Sequence, residues 1–200
     1  MVDLLELIKN RKTIRRYEKK RIPKKIIDKI IEAGRWGPSV PSFLKIQPWI
    51  FIVMTSNVSI SRIAEIILHK SRESRVGVNI LLSSASRIIA GAPAIILIYN
   101  SQEVKALKNK YKEMYSNFEE IIPKAELSAI SAAIQNMILT AESIGIGSCW
   151  LDTPLFCKKE IAEFTGINKE LVAVLTLGYP AENGTRSSRK PVSESVRYIN

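Results

Sequence analysis

Ten basic residues and a single acid, Glu18, occupy the stretch from Lys9 to Lys25. At its centre stands RKTIRRY (11–17), where Arg11, Lys12, Arg15 and Arg16 surround the hydroxyl of Thr13. Cations this close repel one another, so they either spread over a solvated face or gather round an anion. Single-stranded nucleic acid would want several aromatic platforms, and only Tyr17 and Trp36 lie near. Other chemistries are excluded more firmly. One histidine, His69, rules out a histidine-rich metal site and leaves little for a serine–histidine–aspartate triad. Cys149 and Cys157 lack a C-x-x-C spacing and read as packed thiols. GIGSCW (145–150) lacks the third glycine of a dinucleotide fingerprint and leads into a strand, and no phosphate-loop motif occurs. Chemistry in this chain therefore calls for a borrowed cofactor.

The elements that must position these residues follow from periodicity. Apolar residues at helical spacing predict helices over VDLLELIKN and PKKIIDKIIEAGRW, the second with Pro23 in its first turn. GPSVPSF breaks the chain into a loop. WIFIVM (49–54), PAIILIYN (93–100), GSCWL (147–151) and LVAVLTLGYP (171–180) read as buried strands. Helices are expected at about 59–70, 78–90 and around KKEIAEF, and 101–123 as a lysine-rich helical excursion. The segment 124–145 is apolar around much of its circumference, which predicts burial on several sides, including a dimer interface. This order gives an α+β sandwich on one central sheet of four or five strands, in a single domain over 1–200. Its 46% hydrophobic content suffices for one core. The net charge of +11 admits anionic ligands, nucleic acid or a membrane surface. No apolar run is long enough to span a membrane and the N-terminus carries acids, so a cytoplasmic protein is expected.

Six segments, RKTIRRY, AGRWGPSVPS, QPWIFIVM, AGAPAIILIY, AAIQNMILTAESIGIGSCWL and LGYPAENGTRSSRKP, occur in an order that resembles the FMN-dependent nitroreductase family over nearly the whole chain. The resemblance implies a mostly antiparallel sheet flanked by helices. It also implies a homodimer with FMN in the subunit interface, reduced by NAD(P)H and reoxidised by nitroaromatics, quinones or flavins in a ping-pong cycle. The partners are then small molecules, with neither nucleic acid nor membrane. The FMN phosphate and ribityl chain fall to Arg11, Lys12, Thr13 and Arg15, with Arg189 as second phosphate ligand and Arg186 in reserve. Guanidinium forks suit such a phosphate through paired, charge-assisted hydrogen bonds. Ser84 and Arg87 fall at the flavin's pyrimidine edge, where a cation stabilises the charge developed on reduction. Pro38, Ser39 and Ser42 fall against the flavin of the other subunit. Leu151, Asp152 and Thr153 align with the segment whose backbone approaches the flavin N5. Asp152 itself could act as an acid or base, or cap the helix that follows. No side chain is assigned a catalytic step, because the flavin carries the chemistry.

One segment departs from the family. Seven residues separate Ser39 from Gln47, where the pattern Pro-Ser-x-x-Asn-x-Gln has four, and the asparagine is missing. The altered loop keeps open a specialised flavin reaction, such as dehalogenation or dehydrogenation, on the same fold. A basic nucleic-acid or anion-binding protein without redox activity is the alternative from another class.

Overall fold

The computed structural model describes residues 3–39, 46–106 and 118–199. Helix α1 (Leu4–Asn10) opens on Asp3, whose carboxylate accepts from the Leu5 N–H at 2.9 Å and satisfies one free donor of the first turn. Helix α2 (Lys24–Arg35) follows, with Pro23 one position earlier than expected, at the N-cap. Strand β1 (Trp49–Met54) precedes α3 (Asn57–Arg72) and α4 (Val76–Gly91), and β2 (Ala94–Asn100) leads into the single turn α5 (Glu103–Ala106). The long helix α6 (Phe118–Ser143), strand β3 (Gly147–Leu151), a 3-10 turn (Thr153–Cys157), α7 (Lys158–Thr165) and β4 (Glu170–Gly178) complete the core.

The strands are ordered β1-β2-β4-β3, and every pairing is antiparallel. Strand β2 is buried throughout, so its period of two separates two apolar clusters. Ile95, Leu97 and Tyr99 meet Ile60, Ile63, Ala64 and Ile67 of α3 and Leu82, Ala85, Ile88 and Ile89 of α4. Ala94, Ile96 and Ile98 meet Ile27 and Ile30 of α2 and the inner stripe of α6. The fold is thus an α+β sandwich: helices α3 and α4 cover one sheet face, and α2 and α6 cover the other.

Much of the apolar circumference of α6 is covered within the chain: Ile130, Ala133, Ile134, Met137, Ile138 and Ala141 are all buried, and among the described side chains its exposed large apolar residues are Ile121 and Leu127. These side chains are hidden by the chain itself. Exposed apolar side chains gather instead on α1 (Leu4, Leu5, Ile8), on α4 (Val76, Ile80, Leu81) and on the C-terminal tail. The sheet has four strands among the described residues, within the expected four or five, and after a 3-10 turn at Val192–Glu194 the chain leaves Tyr198 and Ile199 87% and 92% exposed. Of the 101–123 excursion, residues 107–117 lie outside the described residues, as does Ser42.

Candidate functional site

Residues 11–17 form an extended strap laid against the end of the sheet. The Ile14 N–H donates to the Ser148 carbonyl of β3 at 3.0 Å, and Thr13 bridges both Ser148 and Thr185. Further along, the Glu18 N–H donates to Tyr179 O at 2.9 Å and the Ala181 N–H to Arg16 O at 3.0 Å. Two features hold the strap close. Tyr17 is buried; its hydroxyl donates to the Ile14 carbonyl at 2.6 Å and lies 2.7 Å from Thr176 Oγ1. Burial pushes this phenol well above its ordinary range, so it remains a neutral hydrogen-bonding group. On the outer side Gly184 takes φ +65°, and a Cβ there would stand 3.0 Å from the Thr13 carbonyl, so glycine lets the 180–185 turn close on the strap.

An extended chain alternates its side chains, and this alternation sorts the cations. Arg11, Thr13 and Arg15 face a basin of about 800 Å³. Lys12 faces the other way, into a separate cavity of about 380 Å³ with Glu142 and Glu182. The expectation that Lys12 joins its neighbours around one ligand is not met within this chain, because even-numbered positions of the strap point away from the basin. Opposite the strap stand Arg186 and Arg189, with Thr185, Ser187 and Ser188 between and beside them. The Arg186 guanidinium donates to Lys9 O and, at 2.9 Å, to Asn10 Oδ1, while Arg189 reaches the carbonyls of Ser187 and Ser188 at 3.2 Å. The two basic segments, far apart in sequence, converge as expected.

The floor of the basin was not anticipated. Strand β3 turns Cys149 and Leu151 into the α3/α4 core and Ser148 and Trp150 toward the basin, while Gln135 and Ile138 arrive from α6. The period-two pattern of GSCWL and the three-residue spacing of Gln135 and Ile138 carried that information. Asp152 neither caps the following turn nor stands free: its Oδ1 accepts from the Trp150 indole N–H at 2.6 Å and fixes the ring. Leu151 is turned away from the basin, and Thr153 begins the 3-10 turn beyond it. Ser84 and Arg87 lie on α4, on the opposite face of the sheet, and do not reach the basin within one chain. Pro38 and half-buried Ser39 follow α2 and likewise lie outside it.

As a binding site the basin is strongly biased. Its lining includes Lys9, Arg11, Arg15, Arg186 and Arg189, five hydroxyls, the Gln135 amide and one indole, with no carboxylate among the described residues. The volume lies within the range of small-molecule pockets, about 300–1,000 Å³. Guanidinium groups and hydroxyls around one concavity suit a phosphorylated, polyhydroxylated ligand with an aromatic portion.

Residues 8–179 match the nitroreductase family, and the chain belongs to that family. A Methanothermobacter thermautotrophicus protein named "putative NADH dehydrogenase/NAD(P)H nitroreductase" is 30% identical over 195 residues, spanning 95% of this chain and 84% of that protein. Iodotyrosine deiodinase 1 of Sus scrofa is 26% identical over 211 residues, covering 96% of this chain and 67% of the deiodinase. Among solved structures, a Desulfovibrio desulfuricans protein crystallised with FMN superposes with a TM-score of 0.71 at 25% identity, over 100% of this chain and 98% of that one.

Proposed function

We propose that this chain is an FMN-dependent oxidoreductase that takes electrons from NAD(P)H and passes them to nitroaromatic, quinone or flavin acceptors in a ping-pong cycle. The observation that carries the reading is the basin itself: cations from both ends of the chain and five hydroxyls, with no carboxylate among the described lining residues, fit the phosphate and ribityl portions of FMN. Relatives named as NAD(P)H nitroreductases and a structural neighbour holding FMN support it. When bound, FMN would supply the hydride-accepting and electron-donating chemistry. The chain's own residues bind and orient. Arg11, Arg15, Arg186 and Arg189 would hold the phosphate, Thr13 and the hydroxyls of 185–188 the polyol, and the Trp150 indole, fixed by Asp152, would wall the aromatic end. Lys12 would contribute only by charge.

The same reading treats the chain as one FMN-binding domain that works as a homodimer. A second subunit is the route by which Ser84, Arg87, Pro38 and Ser39 would reach a ligand held in this basin, and the exposed apolar patches of α1 and α4 supply surface for it. No helix among the described residues is long and apolar enough to cross a membrane, and two buried thiols suit a reducing cytoplasm. Reconstitution decides the matter: purified protein mixed with FMN should show a bound-flavin spectrum, and should oxidise NADH or NADPH with nitrofurazone or menadione present. Bound FMN without NAD(P)H oxidation would remove the reductase reading. In that case the deiodinase relatives favour the second reading, a reductive dehalogenase on the same fold, measured as halide release from a halogenated phenol.

A further inference from the structure

Within the strap Arg15 and Arg16 are adjacent, yet only Arg15 faces the basin. Glu182, on the turn after β4, is bound to both. Its Oε1 accepts from the backbone N–H of Arg15 at 2.7 Å, and its Oε2 from Arg16 Nε at 2.9 Å. The carboxylate is 19% exposed, whereas the Arg16 side chain is 77% exposed, so the acid is the sheltered partner and the arginine the solvent-facing one. The neighbouring Ala181 N–H donates to the Arg16 carbonyl, which gives the same turn a hold on both sides of the Arg15–Arg16 peptide. The Arg15 N–H comes first in holding this carboxyl below the ordinary carboxylate range, and the Arg16 side chain second.

We propose that Glu182 is the positioning residue of the basin. It fixes the register of the strap so that Arg15 enters the phosphate end, and it draws Arg16 out of competition. This rests on the reading of the basin as the site for FMN. The assignment opposes the simplest electrostatic expectation, because removing an anion near a phosphate site should tighten phosphate binding. The two effects therefore have opposite signs, and one measurement separates them.

Apoprotein is titrated with FMN and with riboflavin, which lacks the phosphate, following flavin fluorescence. Wild type should prefer FMN. Glu182→Ala removes both acceptors and should weaken FMN by about tenfold, the effect of losing one well-placed charge-assisted hydrogen bond, while weakening riboflavin, which shares only the Thr13 end of the strap, clearly less. Glu182→Gln retains an oxygen for the Arg15 N–H and should recover most of the preference. The proposal is overturned by FMN binding that is unchanged or tighter in Glu182→Ala, by parallel loss of FMN and riboflavin, or by Glu182→Gln behaving no better than Ala. Should Glu182→Ala not fold, Glu182→Gln alone decides: a kept preference supports the hold through Arg15, and a lost one refutes it. A wild type that binds both flavins equally would bring down the phosphate reading together with this one. A wild type that prefers FMN beside an unaffected Glu182→Ala brings down only the role of Glu182.

Discussion

Two cavities of comparable size are each lined by several cations, and they differ in how far those cations are matched. Between α3 and α7 a groove of about 640 Å³ is lined by Arg62, His69, Lys70 and Arg72. Two of its three cations are matched: Arg62 lies 3.3 Å from Glu65 and Lys70 lies 3.0 Å from Glu160. Glu65, Glu160 and Glu163 line the same groove. In the basin of about 800 Å³ no carboxylate appears among the described lining residues, although Lys9 is paired from outside it with Glu6 at 3.0 Å. Arg186 and Arg189 are steadied by carbonyls and an amide, which orient a guanidinium without neutralising it. The difference teaches that a density of basic residues says little until their counter-charges are placed.

Removing a cation from each cavity should show the largest contrast. Arg11→Ala or Arg189→Ala deletes a charge-assisted contact of about 1.5–3 kcal/mol, so FMN affinity should fall roughly tenfold to hundredfold in a fluorescence titration. Arg62→Ala and Arg72→Ala, in the groove between α3 and α7, should leave it unchanged. Equal losses from both cavities would mean that overall charge, and not the basin, attracts the ligand.

The comparison sharpens if the strap can be loosened without touching a cation. A Cβ on Gly178 would stand 2.5 Å from Tyr17 Cδ1 and 2.8 Å from Pro93 Cδ. Gly178→Ala should therefore cost about 1–3 kcal/mol of stability through overpacking and weaken FMN as the strap shifts. Gly91→Ala, at the end of α4 where a Cβ meets nothing within 4 Å, serves as the control and should be neutral or slightly stabilising. Tyr17→Phe keeps the ring and loses the hydroxyl bonds to Ile14 and Thr176. Its expected cost is about 1 kcal/mol, read from denaturant midpoints at constant slope. A Gly178→Ala protein as stable as wild type, with unaltered FMN binding, would show that the strap is not held where the basin needs it.

Much of this was legible before any coordinates. Strands β1 and β3 fall on the predicted residues, because short apolar runs between breakers leave few alternatives. Strand β4 ends at Gly178 and not at 180, since beyond it the chain turns to pair with Tyr17 and Arg16. Convergence of Arg11 with Arg189 was readable only through resemblance, as nothing local in RSSRKP says which distant segment it will face. Lys12 was grouped with its neighbours because a run of cations hides the alternation of an extended strap. The sheet placed Arg87 out of reach for a different reason: its helix belongs to the opposite layer, a fact of topology that no local window contains. Glu182 is one acid in a turn, and nothing local in the sequence marks it as the partner of both Arg15 and Arg16.

The smallest expected effect uses the two thiols as local reporters. Burial, the largest cause in each case, pushes Cys149 and Cys157 up to about 11. Both should therefore be neutral and slow to react with a disulfide reagent at pH 8. A raised folded value means that their contribution to stability is complete below the unfolded value near 9 and is lost as pH rises through about 11, so stability should decline over that alkaline window. The two thiols sit on different sides of the comparison. Arg15 and Glu182 are the charges felt by Cys149, whereas Glu160 and Lys70 are those felt by Cys157. Loosening the strap by Gly178→Ala should speed labelling of Cys149 while Cys157 keeps its wild-type rate, and mass spectrometry of the labelled peptides distinguishes them. Simultaneous labelling of both would mean that the strap and the α3/α7 side open together, as one cooperative unit, and the contrast between the two cavities would then be one of charge alone and not of local stability.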